Sequence, residues 1–202
     1  ILLNLNKLGV DLLTASSHKI YGPKGAAFLY IKKGTKIEPL LHGGGQEMGL
    51  RSSTVNVPAI VGFAEASRIA YQNIKKEQAK LKKLRDYLIS RVLKKIPGSR
   101  LNGHPSKRLS NNINFSFDYV EGESMVIQLD MAGICVSTGS ACSSSKLEPS
   151  HVLMALGLPS EKAHGSLRIT LGRWTTKREI DYLLRVLPSV VENLRKISPI
   201  KR

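Results

Sequence analysis

The chain has 202 residues, 42 % of them hydrophobic, which is enough to build a core and argues against a disordered segment. Its apolar runs all fall short of the roughly 20 residues that a membrane-spanning helix needs. A net charge of +16 and a pI near 10.0 raise nucleic-acid binding, yet aromatic residues make up only 5 % and no zinc-finger or RNP-like pattern accompanies the basic residues.

The first residues, ILLNLNK, lack the charged, apolar and small-residue order of a signal peptide. The chain also opens without Met, so we expect it to belong to a longer protein. Residues 10–15 (VDLLTA) predict a short buried strand. Residues 26–31 (AAFLYI) predict another, after the turn-forming run Gly22-Pro23-Lys24-Gly25. A loop with Gly43-Gly44-Gly45 and the polar run Arg51-Ser52-Ser53-Thr54 follow.

From 58 to 96 the pattern is helical, as one long helix or two, with Leu81, Leu84, Leu88 and Val92 on one face. The densest basic cluster (Lys75, Lys76, Lys80, Lys82, Lys83, Arg85) lies here and reads first as a solvated helix face, with a surface for an acidic or tRNA partner as the alternative. Pro97-Gly98 stops the helix. The sequence changes character beyond it, so the helix is expected to join two domains.

Residues 112–117 (NINFSF) alternate as a half-buried strand does. A short helix over 123–131 and a short strand over 134–136 come next. Leu167, Ile169 and Leu171 alternate with Arg168 and Thr170, placing the Arg168 side chain opposite the apolar set. Thr176 to Glu179 forms a capping box. It opens a last helix with Ile180, Leu184, Leu187, Val191 and Leu194 at helical spacing and Pro188 as a kink.

Three places could carry chemistry. Lys19, in Ser16-Ser17-His18-Lys19 after the first strand, is expected to be partly desolvated at the mouth of a sheet, which would make it a Schiff-base nucleophile. Hydroxyls, an imidazole and backbone N–H groups beside it suit a phosphate. Taken alone, it is an ordinary surface lysine beside a turn. Cys142 stands in a run of small polar residues (139–145) that cannot pack, so it reads as an exposed thiol, either functional or incidental to a loop. Cys135, between Ile134 and Val136, reads as buried packing. Two cysteines without CxxC or paired His spacing give no metal site, and without a secretory signal we expect reduced thiols. Arg168 is placed to hold a carboxylate through two parallel hydrogen bonds, or is a plain exposed strand arginine.

In this order, the segments SSHKIYGPKG (16–25), LLHGGGQE (40–47), RSSTVN (51–56), NINFSF (112–117), YVEGES (119–124), STGSACSSSKLEPSHVL (137–153) and SLRITLGRWTT (166–176) resemble the NifS/IscS-type cysteine desulfurases over essentially the whole chain. These are class V aminotransferase relatives of pyridoxal-phosphate (PLP) fold type I. The segment around Cys142 is highly specific, and its distance from Arg168 resembles the long-loop class.

The resemblance implies an α/β fold: the C-terminal part of an aspartate aminotransferase-like large domain over 1–74, then a small α+β domain over 75–202 with a sulfur-acceptor loop at 137–150. It implies that Lys19 carries PLP and shuttles protons. Ser16 and His18 would bind the cofactor phosphate, and Thr54 the phosphate of a neighbouring subunit's PLP, hence a homodimer. Arg168 and Asn114 would bind substrate L-cysteine, and Cys142 would accept its sulfur as persulfide, releasing alanine. The implied setting is the cytoplasm (the mitochondrial matrix in a eukaryote), with an iron–sulfur scaffold or another sulfur acceptor as partner. Ser17 stands where the family usually has Gly or Ala, and Ser53 where it usually has Gly. The aromatic residue that stacks on PLP and the aspartate at its ring nitrogen belong to an N-terminal half, so this chain alone is expected not to be a competent desulfurase. The alternatives are a selenocysteine lyase, or a non-catalytic persulfide carrier or scaffold piece.

Overall fold

The long apolar stripe after Val57 produces one unbroken helix, α2 (Val57–Lys95), 39 residues in length. The computed structural model describes residues 1–139 and 149–198, and the chain divides within α2 into the units Ile1–Lys75 and Lys76–Arg202. Asn56 caps the helix start, its Oδ1 accepting the Ala59 N–H at 3.2 Å.

In the first unit, a short helix α1 (Leu5–Leu8) precedes an antiparallel pair, β1 (Leu12–Ser16) and β2 (Ala27–Ile31), in register from Leu12↔Ile31 to Ser16↔Ala27. The core is small: Ala26, Ala59 and Phe63, flanked by Ala15 and Ile20, with Phe28 stacked on Phe63 at 5.7 Å between ring centroids. The expected burial of both strands is not met within this unit. Leu12, Phe28 and Leu29 are each nearly half exposed. Apolar residues on both faces are the mark of a strand covered on both sides, and a two-stranded pair supplies no such layers.

The second unit is α+β. Three antiparallel strands, β3 (Ser99–Leu101), β4 (Asn112–Phe117) and β5 (Ser166–Thr170), lie in the order β3-β4-β5. One face presents Ile113, Phe115, Phe117, Leu167 and Ile169 to a core completed by Leu81, Leu88 and Val92 of α2, Met125 and Leu129 of α3 (Gly122–Met131), and α6 (Lys177–Ile197). Each fully buried side chain of this set contributes about 1.5–3 kcal/mol. The expected apolar positions of α6 are all buried, the Thr176–Glu179 capping box is formed, and the helix runs through Pro188 as one element. The short helices α4 (His151–Ala155) and α5 (Ser160–His164) precede β5.

Polar groups fix the connections. Glu121 caps α3, accepting from the backbone N–H groups of Glu123 (2.8 Å) and Ser124 (2.6 Å). Burial would raise its carboxyl, but these donors outweigh that and hold it below the ordinary carboxylate range. Arg85 departs from the solvated face expected for its cluster. It is buried, and its guanidinium donates to the carbonyls of Arg108 (3.1 Å) and Leu109 (2.9 Å) and to Asp86 (2.7 Å). A helix face that must meet a loop with unpaired carbonyls favours a guanidinium there. Asp86, which burial would push up, is held low by hydrogen bonds from Lys82 and Arg85.

The expected strand over 134–136 is absent. Ile134 and Val136 pack against the core, but only Ser137 reaches β5, as an isolated bridge to Arg168. Cys135 is exposed, contrary to the buried reading. Alternation that turns its two neighbours inward turns Cys135 outward.

Candidate active site

Two clusters of expected site residues lie in separate units. In the first, β1 ends at Ser16 and the chain turns through one 3-10 turn, Ser17–Ile20, which carries His18 and Lys19. Backbone bonds hold this turn: Ser17 N–H to the Ala26 carbonyl and Gly22 N–H to the Ser17 carbonyl, both at 3.0 Å. It sits tightly on α2. A Cβ on Gly22 would lie 2.1 Å from Ser17 Oγ and 3.0 Å from the Ala66 Cβ, and one on Gly62 would lie 2.9 Å from Pro23 Cγ. Only glycine permits such approach.

His18 and Lys19 are exposed, so the expected partial desolvation of Lys19 is not found in this unit. A strand pair one layer deep leaves the turn open to solvent. Thr54 is also exposed, on the loop before α2. No hydrogen bond among the described residues links Ser16, His18, Lys19 and Thr54 side chains.

Ser17 is fully buried, and its hydroxyl has no hydrogen-bond partner among the described residues. An unmade buried hydrogen bond costs about 1–3 kcal/mol, so Ser17→Ala is expected to stabilise the protein by about 1 kcal/mol or more. The check is the Tm of the purified variant. A lowered Tm would mean that the hydroxyl has a partner this unit does not supply.

In the second unit the sheet brings two expected residues together. Asn114 on β4 and Arg168 on β5 are direct register partners, on the face opposite Ile113 and Ile169. The row extends both ways. Asn102 N–H donates to the Asn114 carbonyl at 2.8 Å, and Arg168 exchanges backbone hydrogen bonds with Ser137 (2.5 and 3.1 Å). Arg168 Nε is buried without a hydrogen-bond partner among the described residues. A cation with an unanswered N–H suits an external anion. Asn102 and Ser137 were not singled out from the sequence. β3 is three residues long and Ser137 makes a lone bridge, so neither left a periodic signal. Cys142 lies outside the described residues, as do 140–148 of the expected acceptor loop.

The fold and these positions define a class. A class-V aminotransferase family model matches residues 1–183, and the chain belongs to that family. It is 56 % identical over 98 % of its length to a cysteine desulfurase of Archaeoglobus fulgidus and 57 % identical over the same share to one of Dictyoglomus turgidum. A solved NifS-like protein of Rickettsia africae, 34 % identical, superimposes over 95 % of this chain with a TM-score of 0.85. The chain spans about half the length of each: 52 %, 50 % and 50 %.

Proposed function

We propose that this chain is the C-terminal portion of a PLP-dependent cysteine desulfurase, converting L-cysteine to L-alanine and passing its sulfur to Cys142 as a persulfide. The observation that carries the reading is the Asn114–Arg168 pair, an amide beside a guanidinium whose Nε has no partner among the described residues. The identity to cysteine desulfurases supports it.

The donor set fits PLP. Lys19 offers an exposed amine to its aldehyde, Ser16 and His18 offer hydroxyl and imidazole donors to its phosphate, and Thr54 offers a hydroxyl to the phosphate of a neighbouring subunit's PLP. Bound PLP would supply an electron sink for the pair left on the substrate Cα. Lys19 Nζ would take the proton from Cα and return it later. Arg168 would hold the substrate carboxylate in a two-pronged grip, with Asn114 donating beside it. Cys142 Sγ, as thiolate, would attack the substrate sulfur, forming the S–S bond of the persulfide as the Cβ–S bond breaks. The released electron pair would be left to Cβ, which takes up a proton on the way to alanine.

The exposed apolar faces of β1 and β2 support completion by an N-terminal half, as a separate chain or segment, within a homodimer in which Thr54 reaches the neighbouring PLP. Sulfur then passes to an iron–sulfur scaffold or another acceptor protein, in the cytoplasm. Among the described residues no helix is long and apolar enough to cross a membrane.

The test is turnover with L-cysteine and a thiol reductant. The PLP-loaded protein completed by its N-terminal half is expected to release alanine and sulfide in equal amounts. The 202-residue chain alone is expected to release neither. No turnover by the completed protein, or faster turnover of selenocysteine than of cysteine, would overturn the reading.

A further inference from the structure

We propose that Asn102 is a positioning residue for substrate binding, fixing which end of the Asn114 amide is left to meet the ligand held by Arg168. This rests on the reading of Asn114 and Arg168 as substrate-binding residues.

Asn102 directly follows β3 and is 3 % exposed. Its main-chain N–H continues the β3–β4 ladder to the Asn114 carbonyl. Its Nδ2 donates to Asn114 Oδ1 at 2.6 Å and to Ser116 Oγ at 2.8 Å. Arg108 holds the same segment, donating to the Asn102 carbonyl at 3.2 Å and to the Asn112 carbonyl at 3.3 Å. Both amide hydrogens of Asn102 are thus used, while its Oδ1 is buried without a partner among the described residues. An orphaned buried acceptor is a cost that a purely structural asparagine would avoid.

The consequence falls on Asn114. With its Oδ1 engaged by Asn102, the N–H2 end is what it has to offer beside Arg168. A donor there joins the guanidinium in holding a carboxylate, whereas a carbonyl oxygen would repel one. Asn102 acts through Asn114 and touches no reacting atom.

The test uses the PLP-loaded protein completed by its N-terminal half and two readouts: KM and kcat for L-cysteine, and the Kd of L-alanine by calorimetry. Asn102→Asp offers acceptors only, so Asn114 must turn its N–H2 inward and its carbonyl outward. KM and the L-alanine Kd are expected to rise about tenfold or more, as for a lost hydrogen bond to a charged group, with kcat within about threefold. Asn102→Ser releases the amide without reversing it, so a smaller rise in the same direction is expected. Asn114→Ala should raise KM by itself, and the Asn102→Asp/Asn114→Ala double variant should be no worse than Asn114→Ala. Should Asn102→Asp not fold, the same cycle with Asn102→Ser decides. An unchanged KM in the Asn102 variants, or additive effects in the cycle, overturns the inference. Unchanged KM in Asn114→Ala and Arg168→Ala instead overturns the substrate-site reading beneath it.

Discussion

Lys19→Ala is expected to abolish cysteine turnover, a loss of at least about a thousandfold, because its amine is proposed both to make the covalent attachment and to move the Cα proton. The fold should be untouched. The turn is held by backbone bonds from Ser17, Gly22 and Ala26, and Lys19 itself is exposed, so its side chain supports nothing structural. Ser16, His18 and Thr54, the residues proposed to receive the phosphate, remain, so PLP should still bind, more weakly and without covalent capture. Borohydride reduction before digestion separates the two cases, since it is expected to attach PLP permanently to Lys19 in the unaltered protein and to nothing in the variant. Turnover retained within about tenfold would assign the amine role elsewhere.

Cys142→Ser is expected to leave PLP binding and the affinity for L-cysteine intact while cutting sulfur transfer by about a hundredfold or more. A hydroxyl at neutral pH is a far poorer nucleophile toward sulfur than a thiolate. The comparison is sharpened by the other cysteine. Cys135 is exposed, so exposure alone does not single out the acceptor. Cys135→Ser is nonetheless expected to leave sulfur transfer unchanged, since only Cys142 stands in the segment matching the acceptor motif. Loss of transfer in Cys135→Ser with retention in Cys142→Ser would exchange the two roles.

The second unit was the more legible in sequence. α2, β4, α3, β5 and α6 are long or strongly periodic, and their apolar positions point into one core that lies wholly within residues 81–194. Elements of three to five residues, such as β3, α4 and α5, carry too few repeats to leave a period. The first unit shows the converse difficulty. Residues 10–15 and 26–31 have the composition of buried strands, yet composition reports the environment a strand is suited to, and β1 and β2 lie open here. Arg85 could not be told from the lysines around it, because its partners are carbonyls more than 20 residues along the chain. Cys135 was readable and misassigned: the alternation that turned Ile134 and Val136 inward required it to face out. At the site, Arg168 and Asn114 are both expected to bind substrate, on the resemblance and not on any spacing between them. Only the β4–β5 register made them neighbours, and only the β3–β4 ladder added Asn102.

The most direct test is peptide mass spectrometry of the PLP-loaded protein completed by its N-terminal half, with one sample reduced by borohydride and another mixed briefly with L-cysteine and alkylated. Reduced PLP is expected on the Lys19 peptide in the first and one added sulfur atom on the Cys142 peptide in the second. PLP on another lysine or on none, or the added sulfur on Cys135 or absent from both cysteines, would contradict the proposed function.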